Sequence, residues 1–174
     1  MLVVISGLPG TGKSAVAEKV ALTLGAVHLS IDSVEDALLA SGLEKGWTTG
    51  VAAYEAVRAA AEQNLRLGRA VVVDAVNDSE AARDTWRRAS AATGTPLHFF
   101  VLNLADTAEH QRRLEGRERG LAHVGEPSWR DIRSRAEAFE PWRGPHVRID
   151  ASESVAAVAA LVLHRLESAE PHTR

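Results

Sequence analysis

Short continuous apolar runs alternate along this chain with stretches in which apolar residues recur every three or four positions. The first run, Leu2-Val3-Val4-Ile5, ends at Ser6-Gly7 and reads as a buried parallel strand. Val16, Val20 and Leu24 follow at helical spacing, and Gly25 supplies a stop. Val27-His28-Leu29 predicts a second strand, extended to Ile31 and closed by Asp32. Ser33 and Asp36 form a capping-box pattern that opens a helix to about Leu39. Residues 42–50, with Gly42, Gly46, Trp47 and Gly50, predict a mobile connection. A long helix follows, with Tyr54, Val57, Ala61 and Leu65 on one face and Gly68 at its end.

Ala70-Val71-Val72-Val73 is the strongest strand pattern, and Asp74 closes it. A helix over about 79–93 follows, with Asn77 and Asp78 as expected caps and Gly94 and Pro96 beyond its end. Residues 97–102 predict a strand, 107–115 a helix and 116–127 a loop bearing Arg and Gly. Ser128 and Asp131 form a second capping box, ahead of Trp129, Ile132, Ala136 and Phe139 on one face. Val147-Arg148-Ile149-Asp150 predicts a last strand. A final helix presents Val155, Val158, Val162 and Leu166 to the core, and the tail after Ser168 is expected to fray. Strands alternating with helices predict an α/β domain with a mainly parallel sheet. A length of 174 residues suits one domain over 1–174 with a single core.

Composition narrows the chemistry. The chain has no cysteine, which excludes disulfides and thiolate metal sites. Its seven histidines lack zinc-ligand spacing. Net charge is −3, without the global basic excess of a nucleic-acid binder. No apolar run approaches the length needed to span a bilayer. Met1 opens directly into a strand-like run without a leader pattern, so a cytoplasmic location is expected.

Gly7-Leu8-Pro9-Gly10-Thr11-Gly12-Lys13-Ser14 matches the phosphate-loop pattern in full. Its glycines let backbone N–H groups curl around a phosphate chain. The helix that begins at Lys13, Ser14 and Ala15 turns its positive dipole end toward the anion. Lys13 has the reach for the β- and γ-phosphates, and the Ser14 hydroxyl suits Mg2+. ATP or GTP with Mg2+ is the implied ligand.

Two strand-end carboxylates should face the crevice at the carboxyl edge of the sheet. Asp74 suits a metal or substrate contact. Asp32 suits either a proton acceptor or a helix cap. Arg112, Arg113, Arg117, Arg119, Arg130, Arg133 and Arg135 cluster around the 116–127 loop. Arginine is the natural partner of a transferring phosphoryl group, and a closing loop would carry such residues inward. Arg117 and Arg119 are therefore the loop candidates. For the helix-borne arginines, pairs such as Asp131 with Arg135 and Arg133 with Glu137 are the simpler reading. Trp47 and Tyr54 are candidates to flank an acceptor molecule.

Gly-Leu-Pro-Gly-Thr-Gly-Lys-Ser, Ser30-Ile31-Asp32-Ser33 and Val71-Val72-Val73-Asp74-Ala75-Val76-Asn77 together resemble the small P-loop kinases. The likeness runs to chloramphenicol phosphotransferase, the kinase domain of polynucleotide kinase and the zeta-toxin group. Shikimate and gluconate kinases are more distant in fold. The resemblance implies a P-loop NTPase fold, three-layered, with a five-stranded parallel sheet and a small helical lid over 116–127. It makes Asp32 the general base and Arg117 and Arg119 the lid arginines. It brings the loop Asp150-Ala151-Ser152 near the nucleotide base, and leaves 33–61 to the acceptor.

The activity this implies is transfer of a γ-phosphoryl group to a hydroxyl of a small molecule such as an antibiotic, a nucleoside or a sugar derivative. Glu35 and Asp36 beside Asp32 would repel a phosphate-bearing acceptor, which places a polynucleotide 5′-hydroxyl second. A nucleotide-binding regulator without an acceptor is the rival from another class. Acceptor identity and oligomeric state are not written in the sequence.

Overall fold

The structure is a computed structural model, and it describes residues 1–117 and 120–169. Five strands, β1 (Leu2–Ser6), β2 (Val27–Ser30), β3 (Val71–Ala75), β4 (Leu97–Asn103) and β5 (Val147–Asp150), form one parallel sheet in the order β2-β3-β1-β4-β5. Seven helices fill the connections: α1 (Lys13–Leu24), α2 (Ile31–Ala40), α3 (Trp47–Arg66), α4 (Glu80–Thr93), α5 (Thr107–Glu115), α6 (Trp129–Glu137) and α7 (Val155–Ala169).

The central strand β1 is buried on both faces, so Leu2 to Ile5 are all apolar rather than alternating, and the one polar residue, Ser6, is its last. Val3 and Ile5 face α1 and α7 through Val16, Val20, Val158 and Val162. Leu2 and Val4 face the opposite layer through Ala53, Val57 and Trp86. Three layers result, and every strand points its carboxyl end toward the same edge. No helix of the described residues is long and apolar enough to cross a membrane.

Several local expectations shift. Ser30, not Ser33, is the N-cap of α2, so Asp32 lies in the first helical turn rather than at a strand end. Asp74 lies inside β3, with Ala75 still paired to Ser6. The expected mobile connection is shorter than 42–50, because α3 begins at Trp47 and takes Gly50 into its first turn. Ser79 caps α4, its hydroxyl accepting from the Ala82 N–H at 3.3 Å. On α6 only Ile132 is buried, and Val155 of α7 is exposed. The Ser128–Asp131 capping box forms as read. The expected fraying beyond Ser168 falls, from residue 170 onward, outside the described residues.

Candidate active site

The phosphate loop links β1 to α1, and its glycines are required by position. Gly7 has φ 151°, and a Cβ there would sit 2.7 Å from the Leu102 carbonyl oxygen. Gly10 has φ 90°, and a Cβ would meet His110 at 3.0 Å. The loop is braced from within by the Thr11 hydroxyl, which donates to the Leu8 carbonyl at 2.8 Å. It is braced from outside by His110 of α5, whose Nε2 lies 2.8 Å from the Pro9 carbonyl oxygen. The His110 ring also meets Trp129 edge-on, with centroids 5.2 Å apart, so α5 and the start of α6 rest against the loop. Lys13 is buried, whereas Ser14 and Ala15 are exposed at the helix start. Sequence spacing gave His110 no distinction, because its partner lies 101 residues away.

Asp74 is only 1% exposed and gathers three donors. Ser14 Oγ donates to its Oδ1 at 3.1 Å and Ser30 Oγ at 3.3 Å, while His28 Nε2 lies 2.8 Å from Oδ2. Ser30 thereby turns its hydroxyl to Asp74 and makes no side-chain cap for α2. The phosphate-loop serine and the β3 carboxylate thus meet, as a pair of hard oxygen donors. Mg2+ typically takes one or two such protein ligands and completes its shell with phosphate and water, so this pair fits it.

The Tyr54 hydroxyl accepts the Asn77 N–H at 3.3 Å, and its ring leans on Trp86 at 5.8 Å. Burial pushes the Tyr54 phenol well above its ordinary value of 10, and the nearby charges of Asp78 and Asp32 push the same way. Arg135 acts in the opposite sense and reaches Asp78 at 3.2 Å. The charges of Asp32, Asp78 and Arg135 therefore all act on the Tyr54 hydroxyl. Arg135 does not pair with Asp131, which is engaged in its capping box. Asp78 and Arg135 were not singled out as site residues from the sequence, since each has a plausible local role.

Asn77 is not a cap. It is fully buried at φ 55°. Its Nδ2 donates to Ser6 Oγ at 2.7 Å, and its Oδ1 accepts from Trp86 Nε1 at 2.8 Å. It locks the end of β1, one residue before the phosphate loop, to α4.

Arg117 pairs with Glu126 across the base of the 116–127 loop at 2.6 Å. Arg119 lies outside the described residues. Arg113, left to ordinary surface chemistry by spacing alone, donates to the Ala151 and Ser152 carbonyls at 2.7 and 3.0 Å. It fixes the loop after β5 against α5. Trp47 is 81% exposed at the start of α3. A cavity of about 310 Å³ lies beside the phosphate loop against Leu8, Thr11, His110, Phe139 and Trp142. Lys13, Ser14, Asp32 and Asp74 do not line it.

Comparison with solved structures places the fold. The chain superposes on a sugar kinase from Janibacter sp. HTCC2649 with a TM-score of 0.73 at 17% identity, covering 97% of this chain and 95% of that one. A gluconokinase from Sinorhizobium meliloti 1021 gives 0.66 at 20% identity, with 95% and 93% covered. The Mycobacterium tuberculosis APS kinase, solved with AMPPNP and APS, gives 0.68 at 21% identity, with 95% and 96% covered. A search of curated proteins returns no match. The AAA domain family matches residues 2–139. The chain belongs to that AAA domain family, and its architecture is the P-loop kinase fold.

Proposed function

We propose that the protein transfers the γ-phosphoryl group of ATP or GTP to a hydroxyl of a small molecule. The observation that carries this reading is the contact of the phosphate-loop Ser14 with the buried Asp74, together with Asp32 in the first turn of the helix whose N-cap, Ser30, also donates to Asp74. A nucleotide switch needs the first half of that arrangement and has no use for the second. The solved sugar kinase, gluconokinase and APS kinase that share the fold support the same class.

In the proposed reaction the acceptor oxygen forms a bond to the γ-phosphorus as the bond to the β,γ-bridging oxygen breaks. The nucleoside diphosphate leaves, and the acceptor proton passes to the Asp32 carboxylate. Backbone N–H groups of residues 7–14 orient the phosphate chain. Lys13 offsets charge on its β- and γ-oxygens, and Arg117 and Arg119 serve from the lid. Mg2+, held by Ser14 and Asp74, would supply further neutralisation of the phosphate oxygens. The loop 150–152, fixed by Arg113, borders the base.

Removing the proton acceptor should separate binding from chemistry. Asp32→Asn is expected to lower transfer at least about a hundredfold while leaving the affinity for Mg·AMPPNP within about threefold. Products are read by mass spectrometry after incubating wild-type protein and MgATP with a metabolite mixture, and the variant is then assayed on the acceptor found. Undiminished transfer by the variant removes Asp32 from the mechanism.

A further inference from the structure

The lid and the helix that carries Asp32 are tied by one side chain. Asp36 Oδ1 accepts the N–H of His123 at 2.7 Å and of Val124 at 2.8 Å. These residues lie 87 and 88 positions further along the chain. His123 Nδ1 also approaches Asp36 Oδ2 at 3.6 Å. Two adjacent amides converging on one carboxylate oxygen form a charge-assisted clasp. Those amides hold the Asp36 carboxyl below its usual range, Val124 contributing most and His123 next. Lys45, on the connection between α2 and α3, approaches the same stretch of lid. A Cβ on Gly125 would lie 3.7 Å from its Nζ.

Asp36 stands four residues after Asp32, on the same face of α2 and about 6 Å along its axis. The amino end of α2 is itself anchored, because Ser30 donates to Asp74. Helix α2 therefore runs from the carboxylate paired with the phosphate-loop serine to the tip of the lid, and Asp32 lies between the two attachments. The base of the lid is closed by Arg117 and Glu126. Beyond it, Trp129 of α6 rests on His110, which holds the Pro9 carbonyl.

We propose that Asp36 is a positioning residue, which clasps the lid tip so that seating the lid over the donor nucleotide sets the placement of Asp32 on α2. The inference rests on the phosphotransfer reading above for the role of Asp32, but the clasp is testable without any acceptor. It also gives Asp36 a task that the sequence, which offered it as a helix cap, did not suggest.

The test is amide hydrogen exchange on the full chain, with and without Mg·AMPPNP, for wild type, Asp36→Ala and Asp36→Asn. In the absence of nucleotide, the His123 and Val124 amides of Asp36→Ala should exchange at least about tenfold faster than in wild type. Asp36→Asn, which keeps an acceptor oxygen, should recover part of that protection. Mg·AMPPNP should slow exchange across 31–40 in wild type. In Asp36→Ala that nucleotide-dependent slowing should vanish while the dissociation constant stays within about threefold. A purely structural strut would raise exchange in α2 equally with and without nucleotide, and that result overturns the proposal. Unchanged exchange at His123 and Val124 overturns it as well. Failure of Mg·AMPPNP to bind wild type would instead sink the nucleotide reading, and with it the coupling, while the first comparison still decides whether the clasp exists.

Discussion

Replacing Asn77 by Ala removes a side chain that satisfies two buried groups at once. Ser6 Oγ and Trp86 Nε1 belong to residues with no exposed surface, and both point at the Asn77 amide. Each group left without its partner costs about 1–3 kcal/mol. The backbone bonds of Asn77, from its N–H to Tyr54 and from Arg83 Nε to its carbonyl, can survive the change. The expected loss is thus about 4 kcal/mol, a large share of the 5–15 kcal/mol typical of a whole domain. Urea unfolding followed by circular dichroism measures it, with an unchanged slope indicating the same unfolded state. Asn77→Gly separates side chain from backbone. It relaxes the left-handed φ of 55° by about 1 kcal/mol yet orphans the same two groups, so it should remain well below wild type. A loss under about 1 kcal/mol for Ala, or near-complete recovery with Gly, would refute the reasoning. The first result would mean that water replaces the amide, and the second that φ alone explains why Asn stands there.

Two further outcomes follow from the same geometry. Tyr54 is the chain's single tyrosine, so phenolate absorbance reports on it alone. Its raised value means that no phenolate should appear between about pH 9 and 11 while the protein stays folded, and a midpoint near 10 would show the hydroxyl to be solvated. The sign for stability follows: the contribution is fully present below the ordinary 10 and is lost as pH rises toward the folded value. Gly10→Ala places a methyl 3.0 Å from His110 and 3.3 Å from Leu114 at φ 90°. Strain of about 1–2 kcal/mol and displacement of the loop should weaken Mg·AMPPNP binding about tenfold or more by calorimetry. Wild-type affinity there would mean that the loop does not hold the phosphates.

What the sequence made legible was whatever chemistry requires at short range. The phosphate loop is contiguous, the burial of β1 and β3 shows in the apolar runs Leu2 to Ile5 and Val71 to Val73, and the Ser128–Asp131 box closes within one turn. Errors arose where a residue with a good local role was taken by a distant partner. Ser33 and Asp36 have capping spacing, but Ser30 is the N-cap of α2 and Asp36 reaches the His123 amide in the 116–127 loop. Asn77 suits a cap, but Ser79, two residues on, does that work and frees Asn77 for the core. Arg135 suits an i,i+4 pair with Asp131, but the capping box holds that carboxylate and Arg135 turns to Asp78. In each case local propensity named a residue able to accept or donate, and tertiary contact chose the partner.

Those partners change the electrostatic argument about the acceptor. Counted along the chain, Glu35 and Asp36 beside Asp32 make a flank hostile to phosphate. In the folded protein the charge of Asp36 is directed at the backbone amides of His123 and Val124. Asp78 is paired with Arg135, and both act on the Tyr54 hydroxyl. The charge around Tyr54 is accordingly less one-sided than the sequence implies, because it includes one cation from α6. An acceptor with a single anionic group therefore meets no prohibitive field, whereas a polynucleotide needs a run of cations along its backbone. Charge patterning thus bears on the length of an anionic acceptor more strongly than on whether it bears a phosphate at all. Oligonucleotide binding that falls steeply with salt would reverse that ranking.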